Sequence, residues 1–203
     1  MCYSRSLHEG TGTMRVIAGS QKGRRLMRPQ GLDLRPTPDR VREALFSILG
    51  ARIVGARLLD LYAGTGAIGI EAFSRGAQRV TFVESNPRSL RILRANLDRC
   101  GLTLMADIHA CRVAGFLEQA GLWGGPYDIV FADPPYHTDE GEKLLPLLAS
   151  SAIITCDSLV VLEHFTKMMV PPHVARLLLL RQYRYGDTTL SAFGLHAEAA
   201  SSP

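Results

Sequence analysis

At 203 residues, 46% hydrophobic and 21% charged, the chain has the size and composition of one α/β domain with a small appendage, and a domain of that length buries roughly 70% of its unfolded surface without a disulfide or metal staple. No apolar run approaches the roughly 18 residues of a membrane span, residues 1–13 hold no signal-type apolar segment, and the four cysteines (Cys2, Cys100, Cys111, Cys156) form no C-x-x-C pair. Together these exclude a membrane span, a secretory leader and a zinc or disulfide scaffold, and they predict reduced thiols and a cytoplasmic protein.

In chain order, residues 1–13 read as a flexible polar tail, with Met14 as a second candidate start. Residues 14–50 form a basic N-terminal hairpin and helix. Met14–Ala18 is a short strand that pairs with Gly23–Met27, and Thr37-Pro38-Asp39-Arg40 opens a helix, capped by Thr37 or Asp39, with Val41, Leu45, Ile48 and Leu49 on one apolar face. The net charge of +4 is uneven: from Arg15 to Arg42 eight cations face two acids, so that segment carries +6 and the remainder −2. Arg15, Lys22, Arg24, Arg25 and Arg28 are the footprint expected for a polyanionic partner, with a solvated basic face as the alternative.

Residues 51–195 read as the main domain. It has a strand at Arg57–Tyr62, a glycine loop, and a helix at Ala67–Arg75 closed by Gly76. Strand Arg79–Val83 ends at Glu84, and the next helix starts near Pro87, turns Leu90, Leu93, Ala95 and Leu97 inward and stops at Gly101. A weaker strand at Leu104–Ala110, a helix through Phe116 and Leu117, and an apolar strand at Tyr127–Ala132 follow. After Asp133-Pro134-Pro135-Tyr136 come a helix near Glu140–Leu148, a strand at Leu159–Glu163, and two more at Ala175–Tyr185 and Thr188–Gly194 about the turn Gly186-Asp187; residues 196–203 are a tail. Strand–helix alternation with near-continuous apolar strands predicts a doubly wound, seven-stranded, mostly parallel sheet with an antiparallel edge.

Two segments carry chemistry. Asp60-Leu61-Tyr62-Ala63-Gly64-Thr65-Gly66-Ala67-Ile68-Gly69 is a G-x-G-x-x-G loop at the end of the first strand, where nucleotide-like ligands bind in such sheets, and Glu84 lies 20 residues beyond Gly64, placed to accept ribose hydroxyls. NAD and S-adenosylmethionine both fit that description. Asp60 tips the choice, because it would face a ligand's positive amino group and repel a pyrophosphate; no second nucleotide half is discernible after Ala110. In Asp133-Pro134-Pro135-Tyr136, the prolines fix a rigid turn that offers carbonyl oxygens. The Asp133 carboxylate and Pro134 carbonyl can accept both hydrogens of an exocyclic amine, and Tyr136 gives a flat face for an extruded base. No metal site is expected.

With these motifs, Arg15-Val16-Ile17-Ala18-Gly19, Gly23-Arg24-Arg25-Leu26, Arg35 to Glu43 and Tyr185-Gly186-Asp187-Thr188 give the chain a likeness, from about Met14 to Gly194, to a known family. It resembles the RsmD family of bacterial 16S rRNA guanine-N2 methyltransferases. The resemblance implies a Rossmann-like class I methyltransferase that uses S-adenosylmethionine. Its expected partner is 16S rRNA within the small subunit or an assembly intermediate, and it would act as a monomer. It places Asp60, Gly64, Gly66 and Glu84 on the cofactor, Thr37 and Arg40 over its methionine end, Asp133, Pro134 and Tyr136 at the target base, and Arg24, Arg25 and Arg28 on RNA phosphates. Where many relatives carry an acid after the third strand, this chain has Ala110-Cys111-Arg112-Val113, so the adenine contact falls to Cys111 and Arg112. The rivals are an N6-adenine DNA methyltransferase, disfavoured because only about 50 residues separate Tyr136 from Gly186, and a non-catalytic RNA-binding module, which would not need the rigid acceptor turn.

Overall fold

Strands that are apolar on both faces require helices above and below them, and the chain supplies these in alternation. The computed structural model describes residues 14–28, 37–119, 124–135 and 139–196. The predicted tail 1–13, all but His196 of the predicted tail 196–203, Arg35 and Tyr136 lie outside the described residues. Strands β1 (Arg57–Leu61), β2 (Arg79–Val83), β3 (Ala106–His109), β4 (Ile129–Ala132) and β5 (Leu159–Phe165) are parallel, and β6 (His173–Val174), β7 (Leu177–Tyr185) and β8 (Thr188–Leu195) complete a single sheet. Its order is β3-β2-β1-β4-β5-β8-β7-β6. The order reverses between β1 and β4, the switch point at which such sheets open a crevice outside the strand C-termini.

All seven expected strands form. An eighth, the two-residue β6, arises because Ala175 adopts φ 49 and turns the chain sharply, so the last long strand but one begins at Leu177 rather than Ala175. β8 runs antiparallel to both β5 and β7, which leaves β7 pointing the same way as β4 and β5.

One face of the sheet is covered by α1 (Asp39–Leu49), α2 (Ala67–Ser74) and α3 (Pro87–Cys100), and the other by α4 (Val113–Glu118) and α5 (Glu140–Ser150). Capping explains the bounds of α3: the Asn86 side chain accepts from Arg88 and Ser89 N–H groups, Pro87 occupies the first turn, and Gly101 ends the helix at φ 68. α2 sits centrally, with every residue from Ile68 to Ser74 buried.

The helix faces differ in detail from those expected. α1 begins after Pro38 with no side-chain cap; Thr37 turns its hydroxyl to Asp133 and Asp39 pairs with Arg42 at 2.9 Å instead. Its inward face carries Phe46 and Arg42, whereas Ile48 is half-buried. In α3, Asn96 points inward where Ala95 was expected, because it hydrogen-bonds Met27 N–H (2.7 Å), Met27 O and Thr65 O. A buried amide is tolerated when its donors and acceptor are all engaged.

The N-terminal hairpin is one antiparallel bridge, Arg15 to Arg25, extended by Val16 N–H to Arg24 O and Leu26 N–H to Met14 O. It does not join the sheet but lies on the α1–α3 layer. Glu71, fully buried in α2, accepts from the Ile17 and Ala18 N–H groups at 2.7 and 2.9 Å and from Arg75 at 2.8 Å. Arg42, 1% exposed, reaches the Arg15 carbonyl at 2.6 Å. One of the eight cations of the basic segment thus serves as an internal clamp and adds nothing to an outward field.

Candidate active site at the sheet rim

The two motifs converge. Leu61 and Ala132 are paired across β1 and β4, so the glycine loop after the first and the proline turn after the second leave the same rim side by side. Glu84 follows the neighbouring β2, and its N–H bonds His109 O at the end of β3, which brings Cys111 and Arg112 to that rim as well. Cys111 is half-buried and burial pushes its thiol up; Arg112 starts α4 and is exposed.

On the glycine side each carboxylate is held by backbone. Glu84 accepts from Gly64 N–H at 2.8 Å and Asn86 N–H at 2.7 Å. A carboxylate has about four acceptor positions, so two remain for hydroxyls. Gly64 lies at φ 55 and a Cβ there would meet only Tyr62 O at 3.9 Å, so a ligand can approach the backbone from that side. At Gly66, φ 78 strains any side chain, and a Cβ would fall 2.2 Å from Leu93 Cδ1, which would have to shift. Tyr62 takes φ 60, rare for a bulky residue, and bonds Glu140, with burial and that carboxylate holding its hydroxyl above its usual range.

Asp60 occupies a deeper place than its motif indicated. It is 1% exposed, bonds Gly69 N–H in the first turn of α2 at 3.1 Å, and burial raises its carboxyl to about 7, against the opposing pull of that N–H. Its carboxylate therefore anchors the helix start and awaits a positive charge to favour ionisation fully.

On the proline side, Asp133 is held, among the described residues, by one hydroxyl: Thr37 Oγ1 donates to Oδ2 at 3.5 Å. Pro134 is buried, its Cγ beside Gly141, while Pro135 is exposed. Burial, then the charges of Glu163 and Asp60, hold the Asp133 carboxyl well above the usual carboxylate range. Glu163, 1% exposed, was placed by sequence only as the end of a strand. The pairing of Ala132 with Leu162 sets it beside Asp133 on the adjacent strand, and strand alternation turns both toward the α1 side. The available signal was a lone carboxylate closing an apolar strand that ends at this rim.

The predicted RNA residues are apart from these. Arg15, Lys22, Arg24, Arg25 and Arg28 lie on the hairpin over α1–α3. Arg24 donates to Arg99 O, and Arg15 and Lys22 share a groove of about 280 Å³ with Asp39 and Glu43, which offsets part of their field. Arg40 is exposed at the start of α1, one turn from Thr37.

The family model described as conserved hypothetical protein 95 matches residues 14–194. The chain is 34% identical, over 96% of each sequence, to the Escherichia coli K12 protein named ribosomal RNA small subunit methyltransferase D. Its structure resembles that of a hypothetical protein of Thermus thermophilus, with 33% identity, 89% and 98% coverage of the two chains and a TM-score of 0.77. An RNA methyltransferase of Salinibacter ruber, solved with S-adenosyl-L-homocysteine, shares the fold at 18% identity and a TM-score of 0.61 over 83% and 98% of the chains. The architecture is thus the Rossmann-like one, shared also with a putative methyltransferase of Escherichia coli at 34% identity and a TM-score of 0.79 over 92% and 100% of the chains.

Proposed function

The chain belongs to the conserved hypothetical protein 95 family, and from that membership we propose that it is an S-adenosylmethionine-dependent rRNA methyltransferase whose target is the exocyclic N2 of a guanine in 16S rRNA. The name of the Escherichia coli relative supports rRNA of the small subunit as the substrate class. We take the subunit or an assembly intermediate as the form acted on, by a monomer in the cytoplasm.

The cofactor's chemistry fits the residues present. Glu84 retains acceptor positions for two ribose hydroxyls, Gly64 leaves its backbone open, and buried Asp60 would regain full ionisation beside a cation. Cys111 and Arg112 border the adenine side, and Thr37 and Arg40 the methionine end. S-adenosylmethionine, when bound, supplies an electrophilic methyl on a sulfonium.

One observation carries the choice of guanine: Asp133 and Glu163 stand side by side at the rim. The edge of guanine presents two adjacent donors, N1–H and the N2 amine, and two neighbouring carboxylates are acceptors for both. Adenine presents an amine beside a bare ring nitrogen, whose lone pair a carboxylate repels. Asp133 and the Pro134 carbonyl accept the amine hydrogens, aim the nitrogen's lone pair out of the base plane and favour the positive charge that develops on it. Asp133 then takes the proton that the methylated nitrogen releases, a task suited to a carboxylate whose proton affinity burial has raised. Tyr136 is assigned the stacking face on motif grounds alone.

The test is labelled methyl transfer to small subunits from a strain lacking the modification, followed by nucleoside analysis. Label in N2-methylguanosine is expected. Label in N6-methyladenosine overturns the guanine assignment, and no transfer to any rRNA overturns the function.

A further inference from the structure

The far edge of the sheet carries a feature that the rim chemistry leaves unused. β6 covers only Leu177 and Leu178 of β7. From Arg181 to Tyr185 that strand therefore has β8 on one side and, among the described residues, no strand on the other. The open stretch reads Arg181-Gln182-Tyr183-Arg184-Tyr185. A register shift between Leu179 and Arg181 resets its alternation. Arg181, Tyr183 and Tyr185 consequently share the face that bears Asp133 and Glu163, and the two tyrosines pack half-buried against that core.

Both arginines are exposed, and among the described residues neither has a carboxylate within ion-pair distance. The Arg181 guanidinium stands 5.1 Å from the centre of the Tyr183 ring. From Leu159 to His196 the chain holds Lys167, Arg176, Arg181 and Arg184 against only Asp187 and the buried Glu163. The hairpin was the expected basic surface, but its Arg15 and Lys22 share a groove with Asp39 and Glu43; Arg181 and Arg184 have no such acidic neighbours among the described residues and lie three strand spacings from the target turn. Tyr183 pairs with Leu190, Leu190 pairs with Glu163, and Glu163 neighbours Asp133. Three strand spacings make roughly 14 Å, about four stacked nucleotides at roughly 3.4 Å each.

We propose that the open edge of β7, with Arg181, Tyr183 and Tyr185 on the face of the target turn and Arg184 projecting from the other side of the same edge, docks the single-stranded RNA that flanks the modified base. The arginines meet phosphates and the tyrosine rings offer stacking faces to bases. The proposal rests on the rRNA assignment above. Charged residues on an edge strand also deter pairing with another chain, but that task needs charge alone. Aromatic rings alternating with cations on an acid-free strand fit a polyanion that carries π-faces.

The experiment compares wild type with Arg181→Gln/Arg184→Gln, Tyr183→Leu and Tyr183→Phe in binding to an in vitro 16S rRNA transcript across a salt series, with S-adenosylmethionine titration calorimetry as the check on fold. The double variant is expected to keep its cofactor affinity, to bind the transcript more weakly, and to lose about 1.4 from the slope of log K against log salt, at about 0.7 per single-strand phosphate contact. Tyr183→Leu is expected to weaken binding about tenfold, while Tyr183→Phe, which keeps the ring, binds as wild type. An unchanged slope and affinity in the double variant with intact cofactor binding overturns the edge surface alone. Wild-type protein that binds cofactor but no rRNA overturns the edge surface and the rRNA assignment together.

Discussion

The two halves of the rim are built differently. In the glycine half, Asp60 is fixed by Gly69 nine residues on, and Glu84 by Gly64 and Asn86, all through backbone N–H groups between 2.7 and 3.1 Å. In the proline half, Asp133 has, among the described residues, one hydroxyl partner at 3.5 Å, from a residue 96 positions away, and a carboxylate neighbour, Glu163, that opposes its ionisation. The first half is preorganised by short-range sequence; the second is assembled by topology from three distant segments and keeps its acceptor charge under tension. A cofactor site gains from rigidity before binding, whereas a group that must accept amine hydrogens and then a proton gains from a raised proton affinity.

The sharpest way to break this contrast is to remove the acceptor from the second half. Asp133→Ala is expected to lower kcat by at least 10²–10³-fold, the range for deleting one preorganised polar partner of a developing charge. S-adenosylmethionine affinity should stay near wild type, because the glycine half holds its own geometry. Single-turnover transfer and calorimetry check the two halves separately. A normal rate removes Asp133 from the chemistry, and a parallel collapse of cofactor binding would mean that the halves are not independent.

Asp60 probes the first half through stability. Its folded carboxyl is raised from 3.8 to about 7, while in the unfolded chain it ionises near the ordinary value. Below about pH 3 both states hold the proton and nothing is lost. As pH rises from about 4 to 7 the unfolded state releases it first, so the native state loses stability, by about 4 kcal/mol once both are ionised. Asp60→Asn does not titrate, so its melting temperature relative to wild type should climb across that window, by about 10 °C in all at about 2–4 °C per kcal/mol. A difference between the two that stays constant with pH would show that Asp60 is not raised.

The same contrast explains what was legible in the sequence. The glycine loop, Glu84 at its fixed spacing and the capped helix Pro87–Cys100 are local patterns, and the structure places them as spacing indicates. The depth of Asp60 was not legible, since strand position gives a face but not the layer of helix above it. Glu71 was missed because its partners Ile17 and Ala18 are more than 50 positions distant, and Arg42 was counted with the outward cations although Asp39 and the Arg15 carbonyl draw it inside. Glu163 escaped notice as a strand end; only the pairing of β4 with β5 makes it a neighbour of Asp133.

Glu163 also sets the finest test. If its charge helps to hold the Asp133 carboxyl up, then Glu163→Gln, which keeps size and an acceptor oxygen, removes one of the two opposing charges and lets Asp133 ionise at lower pH. Activity needs the ionised acceptor, so the rising limb of kcat/KM against pH tracks this group in the free enzyme. The limb should move to lower pH in the variant, with the plateau falling only modestly. Burial, the larger cause of the upward displacement, persists in the variant, so the limb should not return to the ordinary carboxylate range. A lowered plateau with an unmoved limb would make Glu163 a contact to the base that leaves Asp133's proton untouched, and the tension assigned to the proline half would then come from burial and Asp60 alone.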